Sequence, residues 1–133
     1  MADLTKLNKI TKELKDLSYL RLDKTTPGDI SYLDESGKEV CKGYYLYKEG
    51  YVAVQQAFIK KGNILPNHSH KEKEYLIVYK GKIKVTINNQ EQKTYNTGDC
   101  VYFQPHTLHC VEGLEDTWMI GITVPASEVY PNE

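Results

Sequence analysis

Three histidines and a glutamate, grouped in two short windows, carry the most evident chemistry in this sequence. His68 and His70 are separated by one residue, Glu74 follows four residues later, and His109 lies far downstream. Residues i and i+2 of an extended strand project from the same face, so the first two imidazoles can converge on one point. Three imidazoles and one carboxylate suit a first-row divalent metal ion and leave coordination positions open. The spacing therefore predicts a metal site.

The main competitor for the carboxylate position is Glu72. It lies inside the charged run 71–73, where we expect a solvated turn, so we assign the ligand role to Glu74. The H-x-H pair taken alone would more simply be a solvated loop feature. The metal prediction depends on the two further donors, Glu74 and His109, being present as well.

A series of short strands has to position these residues. Apolar and β-branched residues alternate with polar ones, and Gly, Pro and Asn turn signals separate the runs. A hairpin signal stands at Asn88-Asn89. Eight to ten short strands at regular spacing predict an all-β sandwich or barrel. The strand candidates are residues 30–33, 38–47, 51–59, 74–79, 82–87, 101–103, 108–111 and 117–124.

The N-terminal stretch has a different period. Leucine and isoleucine recur there at steps of three and four residues, which predicts an amphipathic helix that packs on the rest of the domain. We therefore expect one domain, in which residues 1–39 form the helix and a first strand pair and residues 40–133 form the barrel. The helical stripe consists of Leu4, Leu7, Ile10, Leu14 and Leu17.

Composition limits the classes of function. The 133 residues include 17 basic and 18 acidic side chains, for a net charge of -1, which argues against a dominant nucleic-acid or membrane-surface role. No apolar run approaches the roughly 20 residues of a membrane span, and the N-terminus lacks the apolar segment of a secretory signal. The three cysteines lack C-x-x-C spacing, so we expect a reducing cytoplasm.

At the histidine windows the sequence resembles the cupin superfamily, over roughly residues 40–124. The second family motif begins at Gly98 and reaches its histidine at His109 in register. Gln104 and His106 depart from it, because they stand where proline and glycine are common. The first motif, G-x5-H-x-H-x3-E-x6-G, is matched at every position by Gly62, His68, His70, Glu74 and Gly81.

The resemblance implies a double-stranded β-helix (jelly-roll) barrel with His68, His70, Glu74 and His109 as ligands of one divalent metal ion per chain. Fe, Mn, Ni, Zn and Cu all suit this donor set. It also implies a metal-dependent enzyme for a small organic molecule, with dioxygenase chemistry favoured over isomerase or lyase chemistry and Glu74 as a further proton acceptor. A non-enzymatic metal- or metabolite-sensing module is the alternative. A metal-free sugar-nucleotide epimerase fits less well, because it would use a His–Asp pair.

Several further residues are weaker site candidates. We expect His106 at the pocket mouth, in a turn, with a possible catalytic or substrate contact. Strand parity turns Tyr75, Ile77 and Tyr79 away from the cavity, and large apolar patches rarely stay bare. Either the N-terminal helix or a second subunit could cover them, and we expect a homodimer. The residues that we expect to line the substrate pocket are Tyr45, Gln56, Tyr102, Gln104 and Trp118.

Overall fold

The computed structural model describes residues 29–126, without the side chains of residues 29, 30 and 44. The predicted helix around residues 4–17 lies outside the described residues. Ten strands occupy the described range, in agreement with the predicted eight to ten. They are β1 (Asp29–Leu33), β2 (Glu39–Glu49), β3 (Val52–Ile59), β4 (Ile64–His68), β5 (Lys73–Lys80), β6 (Lys82–Ile87), β7 (Glu91–Asn96), β8 (Cys100–Phe103), β9 (His109–Gly113) and β10 (Thr117–Val124).

The strands form two antiparallel sheets. One has six strands in the order β1-β2-β3-β10-β5-β8, and the other has four in the order β4-β9-β6-β7. The predicted all-β jelly-roll architecture is therefore confirmed. β1 pairs with β2 from Asp29 to Leu33, so it is an edge strand of the larger sheet. In the described part of the chain no helix is long and apolar enough to cross a membrane.

Two strands lack the sequence pattern that identifies the others. In β4, Pro66 looks like a turn residue, but a proline is tolerated on an edge strand, and the pairing with β9 shifts register between Leu65 and His68. In β7 every side chain except Tyr95 is exposed, so no alternation is visible. Both strands lie at the edges of the four-stranded sheet, where burial on one face is least complete.

The core lies between the two sheets. Alternate side chains of β5, β6, β9 and β10 are buried, as expected for strands with one face inward. Gly81 makes the tight connection between β5 and β6 at φ +122°, and a Cβ there would lie 2.7 Å from the Asp116 carbonyl oxygen. Only glycine fits that position. The connection thus carries the chain from β5 in the six-stranded sheet directly to β6 in the four-stranded sheet.

Candidate metal centre

Paired strand ends hold two of the four predicted donors. His68 is the last residue of β4 and His109 the first of β9, and the two are direct cross-strand partners. Their ring centroids are 4.2 Å apart. Glu74, the second residue of β5, approaches from the six-stranded sheet and is buried. The two sheets thus contribute donors from opposite sides of the barrel interior.

His70 reaches the same place by another route. It follows the end of β4, in the connection to β5, so the expectation that strand alternation aligns it with His68 is wrong. A hydrogen bond from the His106 backbone N–H to the His70 carbonyl, at 2.7 Å, ties this connection to the turn before β9. The side chain of His70 is buried, and its ring centroid is 5.4 Å from that of His109.

The geometry brings the three imidazoles together, with the Glu74 carboxylate beside two of them. One ring nitrogen from each of the three histidines lies within 4.8 Å of the other two. The Glu74 Oε1 atom is 3.8 Å from His70 Nε2 and 3.6 Å from His109 Nε2. Bonds of about 2.0–2.1 Å to one ion place donors at most about 4.2 Å apart. Small side-chain movements would therefore suffice for all three imidazoles to share an ion.

Backbone carbonyls select the tautomer of each imidazole. The Nδ1–H groups of His68, His70 and His109 donate to the carbonyls of residues 66, 72 and 107 at 2.8, 2.8 and 2.9 Å. A carbonyl only accepts, so Nδ1 carries a proton in each ring, and Nε2 keeps its lone pair whenever the ring is neutral. All three Nε2 atoms are buried. Hydrogen bonds from Nδ1–H to backbone carbonyls commonly orient metal-binding histidines in this way.

An aromatic ring further restricts His109. Phe103, at the end of β8, stacks on its imidazole with centroids 4.0 Å apart and an interplanar angle of 11°. Phe103 is a cross-strand partner of Glu74, so the register of β5 with β8 places this ring beside the site. The orientation of His109 is thus fixed by a hydrogen bond at one ring edge and by packing on its face.

Burial and neighbouring charges set the protonation of the donors. Burial lowers the pKa of His68 to about 4. Burial raises the pKa of Glu74, but His109 and His70 lower it more, to about 2. Burial lowers the pKa of His70, but Glu74 raises it more, above its usual value. An ionised carboxylate therefore faces the imidazole nitrogens, and a cation at their centre would balance its charge.

Glu72 lies on the other side of His70. Its carboxylate Oε2 is 3.7 Å from His70 Nδ1, whereas Glu74 faces Nε2. The expectation that Glu72 belongs to a solvated turn is wrong, because its side chain is only 1% exposed. The connection that carries Glu72 is tied to the turn before β9 by the His106–His70 backbone hydrogen bond, a contact between segments that are distant in the sequence.

A narrow cavity extends from the donors into the barrel. The volume open to the centre of a water molecule is about 20 Å³, and one water needs about 10–15 Å³ on that measure. Apolar side chains, among them Leu65, Leu76, Val111 and Met119, make most of the wall. The polar side chains of the described lining, apart from the Cys41 thiol, are Tyr32, Gln55, His68, Glu74 and His109.

The structure does not bring the five predicted pocket residues to this cavity. Tyr102 is 42% exposed and Gln104 is also exposed, while Tyr45 and Trp118 are half-buried. Gln56 is fully buried but alternates with the inward-facing Gln55 along β3. Strand parity turns Tyr102 and Gln56 to the outer side of the sheet. His106 is exposed in its predicted turn, with φ at 64°, which explains why glycine is common there.

Two polar residues of the cavity were missed from the sequence. Tyr32, on β1, donates a hydrogen bond from its hydroxyl to Gln55 Oε1, and each side chain is 2% exposed. Burial raises the pKa of Tyr32 well above its usual value, so the phenol stays protonated. The sequence signal for this polar pair was Gln55-Gln56 in an otherwise apolar strand. Gln56 was assigned to the cavity from the sequence, whereas Gln55 is the residue that lines it.

The residues present fit a metal ion. The three imidazoles present lone pairs from buried, pre-oriented nitrogens, and the adjacent carboxylate is ionised. Imidazole and carboxylate together suit Fe, Mn, Ni, Zn and Cu, and affinity order alone does not choose among them. The three histidines are therefore able to hold an ion, with the Glu74 carboxylate beside them.

Comparison with known proteins adds a family. Residues 56–124 match the family model described as "Cupin domain". That segment is just over half of the chain and contains all four predicted ligands. A search of curated protein sequences finds no match.

Solved structures share the fold at low sequence identity. An RmlC-like cupin from Shewanella frigidimarina is 21% identical, with a TM-score of 0.64 over 72% of this chain and 84% of that one. KdgF from a Halomonas species is 18% identical, with a TM-score of 0.64 over 68% and 85%. The DMSP lyase DddQ from Ruegeria pomeroyi is 15% identical, with a TM-score of 0.63 over 75% and 53%.

Proposed function

Since this chain belongs to the cupin family, we propose that it is a metal-dependent enzyme acting on a small organic molecule. His68, His70, Glu74 and His109 would hold one divalent ion per chain. The observation that carries this proposal is the convergence of the three imidazole nitrogens within 4.8 Å of one another. The Glu74 carboxylate beside two of them completes the set.

The chain's own residues supply the conditions for chemistry at the ion. Carbonyl contacts fix the imidazoles, Phe103 holds the His109 ring, and the apolar wall excludes bulk water. A bound divalent ion would polarise a substrate as a Lewis acid or, if it is iron, react with O₂. Glu74 would serve both as a ligand and as a proton acceptor when it is displaced.

Among reaction classes we favour a dioxygenase over an isomerase or lyase. Proton-transfer chemistry needs a positioned base, and Glu74 is the only ionised carboxylate among the described residues that line the cavity. Cleavage by O₂ makes a smaller demand on side-chain acids and bases. The mostly apolar wall also suits a gaseous co-substrate. DMSP lyase DddQ has the same fold, so lyase chemistry is the first rival in the test.

The first measurement is elemental analysis of full-length protein purified without oxygen, because a named metal removes most reaction classes. Protein reconstituted with Fe²⁺ is then tested with an oxygen electrode against a short thiol, a diketone and a catechol. We expect O₂ uptake that depends on iron and on one of these substrates, and that is lost in His109→Ala. Substrate loss without O₂ uptake would establish the lyase or isomerase class instead.

A non-enzymatic metal- or metabolite-binding module is the second candidate. The observation that favours it is the narrowness of the cavity, about 20 Å³ open to water centres, which leaves little room for reaction beside an ion. It predicts one tightly bound metal ion per chain and no turnover with any compound of the panel. Steady O₂ uptake with any of them would exclude it.

We further propose that the protein is a cytoplasmic homodimer. Its exposed aromatic residues include Tyr75 and Tyr102, whose rings lie 5.0 Å apart on the outer side of the six-stranded sheet. The absence of C-x-x-C spacing supports a reducing compartment. Size-exclusion chromatography with light scattering measures the mass of the particle in solution, and we expect about twice the 15.3 kDa of one chain. A monomer would contradict the proposal.

A further inference from the structure

The polar pair Tyr32–Gln55 gives the cavity a second functional end. We propose that the cavity binds a small monocarboxylate of few heavy atoms, with Gln55 as its hydrogen-bond donor and Tyr32 as the residue that orients Gln55. This inference rests on the proposed metal site, because the carboxylate would share the cavity with the ion. Tyr32 and Gln55 both lie outside the segment matched by the family model, residues 56–124.

The hydrogen bond within the pair decides what Gln55 offers. The Tyr32 hydroxyl donates to Gln55 Oε1, which occupies the acceptor end of the amide. The Nε2 group, with two N–H donors, is the other end of the same side chain. Gln55 lines the cavity, so the pair favours a ligand that brings an acceptor oxygen.

The amide and the metal donors lie on the same stretch of wall. A Cβ built on Gly121 would lie 3.5 Å from Gln55 Cγ and 3.4 Å from Glu74 Oε2, so these two side chains flank the bare backbone of β10. Tyr32 is positioned in a similar way, since its ring covers Gly43, where a Cβ would lie 2.7 Å from Tyr32 Cε2. Gly43 therefore makes room for the Tyr32 ring, and Gly121 leaves bare backbone between Gln55 and Glu74, where one ligand can touch both Gln55 and the metal donors.

Charge selects a monoanion. A divalent ion beside the Glu74 carboxylate carries a net charge of +1, and the other polar residues add none. Burial raises the pKa of the Cys41 thiol to about 12, so it is neutral, as is the Tyr32 phenol. The described residues that line the cavity include no lysine or arginine. One carboxylate therefore balances the local charge.

The volume of the cavity favours a ligand with a short carbon chain. The volume open to water centres, about 20 Å³, corresponds to one or two water-sized groups. Formate comes nearest to that space and acetate adds one methyl group, while each further methylene has to displace the packed wall of Leu76, Val111 and Met119. Overpacking of such a wall is unfavourable, so affinity should fall as the chain lengthens.

The test uses the full chain loaded with Co²⁺, whose visible absorption reports ligands at the metal. We expect acetate to change the spectrum saturably, and acetamide, which has the same shape but no charge, to bind at least about tenfold more weakly. Butyrate should bind at least about tenfold more weakly than acetate. Equal binding of acetate and acetamide, or of acetate and butyrate, would overturn the proposal.

Variants locate the contact. Gln55→Met should weaken acetate binding about tenfold, and Tyr32→Phe about threefold or more, with one Co²⁺ still bound per chain. Tyr79→Phe is the matched control, since its hydroxyl is also buried but its side chain alternates with the inward residues of β5. Unchanged acetate affinity in Tyr32→Phe with full Co²⁺ would overturn the role of the pair. The conservative Tyr32→Phe keeps the test valid if Gln55→Met does not fold.

The outcomes separate this inference from the proposed function. Failure of the native protein to bind Co²⁺ would overturn both. Stoichiometric Co²⁺ without any response to formate or acetate would overturn the carboxylate site alone and leave the metal centre in place.

Discussion

Two regions of the barrel wall hold a buried carboxylate beside the same histidine. The β4–β5 connection carries Glu72, 3.7 Å from His70 Nδ1, and the start of β5 carries Glu74, 3.8 Å from His70 Nε2. Only the second carboxylate also reaches His109. Burial and distance are nearly the same in the two regions. The two carboxylates therefore differ in the edge of the imidazole that they face, and on this difference we assign Glu74 as the proposed metal donor and Glu72 as the proposed orienting neighbour.

The sharpest way to break this comparison is Glu74→Gln, which keeps the shape and removes the charge. Loss of a residue that merely orients a ligand costs about 10- to 100-fold in metal affinity, so loss of this donor should cost more than about 100-fold. Competition with a chelator, followed by elemental analysis, measures the effect. Glu72→Gln is the matched control. If Glu72→Gln is the more damaging change, the ligand assignment is wrong.

A loss of folding must be distinguishable from a loss of a donor. Gly81→Ala should lower the free energy of unfolding by about 2–3 kcal/mol, because the new Cβ meets backbone at 2.7 Å and φ is +122°. The metal-to-protein ratio of the folded fraction should stay the same. Denaturant unfolding measures the first and elemental analysis the second. Gly50→Ala, where a Cβ meets nothing within 4 Å, should leave both unchanged.

The variant Glu72→Gln gives the smaller effect of the two carboxylate changes. Since the carboxylate faces the Nδ1 edge of His70, we expect about a tenfold loss of metal affinity, the lower end of the range for an orienting residue, and no change in stoichiometry. The same chelator competition measures it. A complete loss of bound metal would move Glu72 into the coordination sphere.

His106→Gly should have the smallest effect. A histidine at φ 64° is less comfortable than glycine, so the variant should be as stable as the native protein or more stable by up to about 1 kcal/mol. Its backbone N–H still donates to His70, and metal content should not change. Denaturant unfolding tests the stability. A fall in turnover at full metal content would give His106 a catalytic contact.

The convergence of the three histidines was predictable from residue type and from their places in the strand pattern. Spacing along the chain places His68 and His70 next to each other, and His109 follows a turn at the start of a strand. The strand count also followed from alternation, except in β4 and β7, where an edge position and exposure hide the pattern. These features depend on neighbours in sequence, which a single sequence displays.

The missing parts depend on contacts between distant segments. Glu72, flanked by lysines, is buried in a connection that a hydrogen bond joins to the distant residue 106. The inward facing of Gln55 rather than Gln56 depends on how β3 pairs with β2 and β10. Tyr32 joins the cavity because β1 lies at the sheet edge and its ring crosses Gly43. The spacing of residues along the chain does not predict any of these contacts.

The position of β1 and β2 has a consequence for any attempt to shorten the protein. A fragment limited to residues 56–124 would keep every histidine and Glu74, yet it would lack β1, β2 and half of β3. The hydrogen-bonding edge of β10 would then be uncovered along much of its length, and such an edge invites association with other chains. The floor beneath the donors would open to solvent at the same time. The smallest fragment that keeps this barrel closed is thus longer than the segment that matches the family model, residues 56–124.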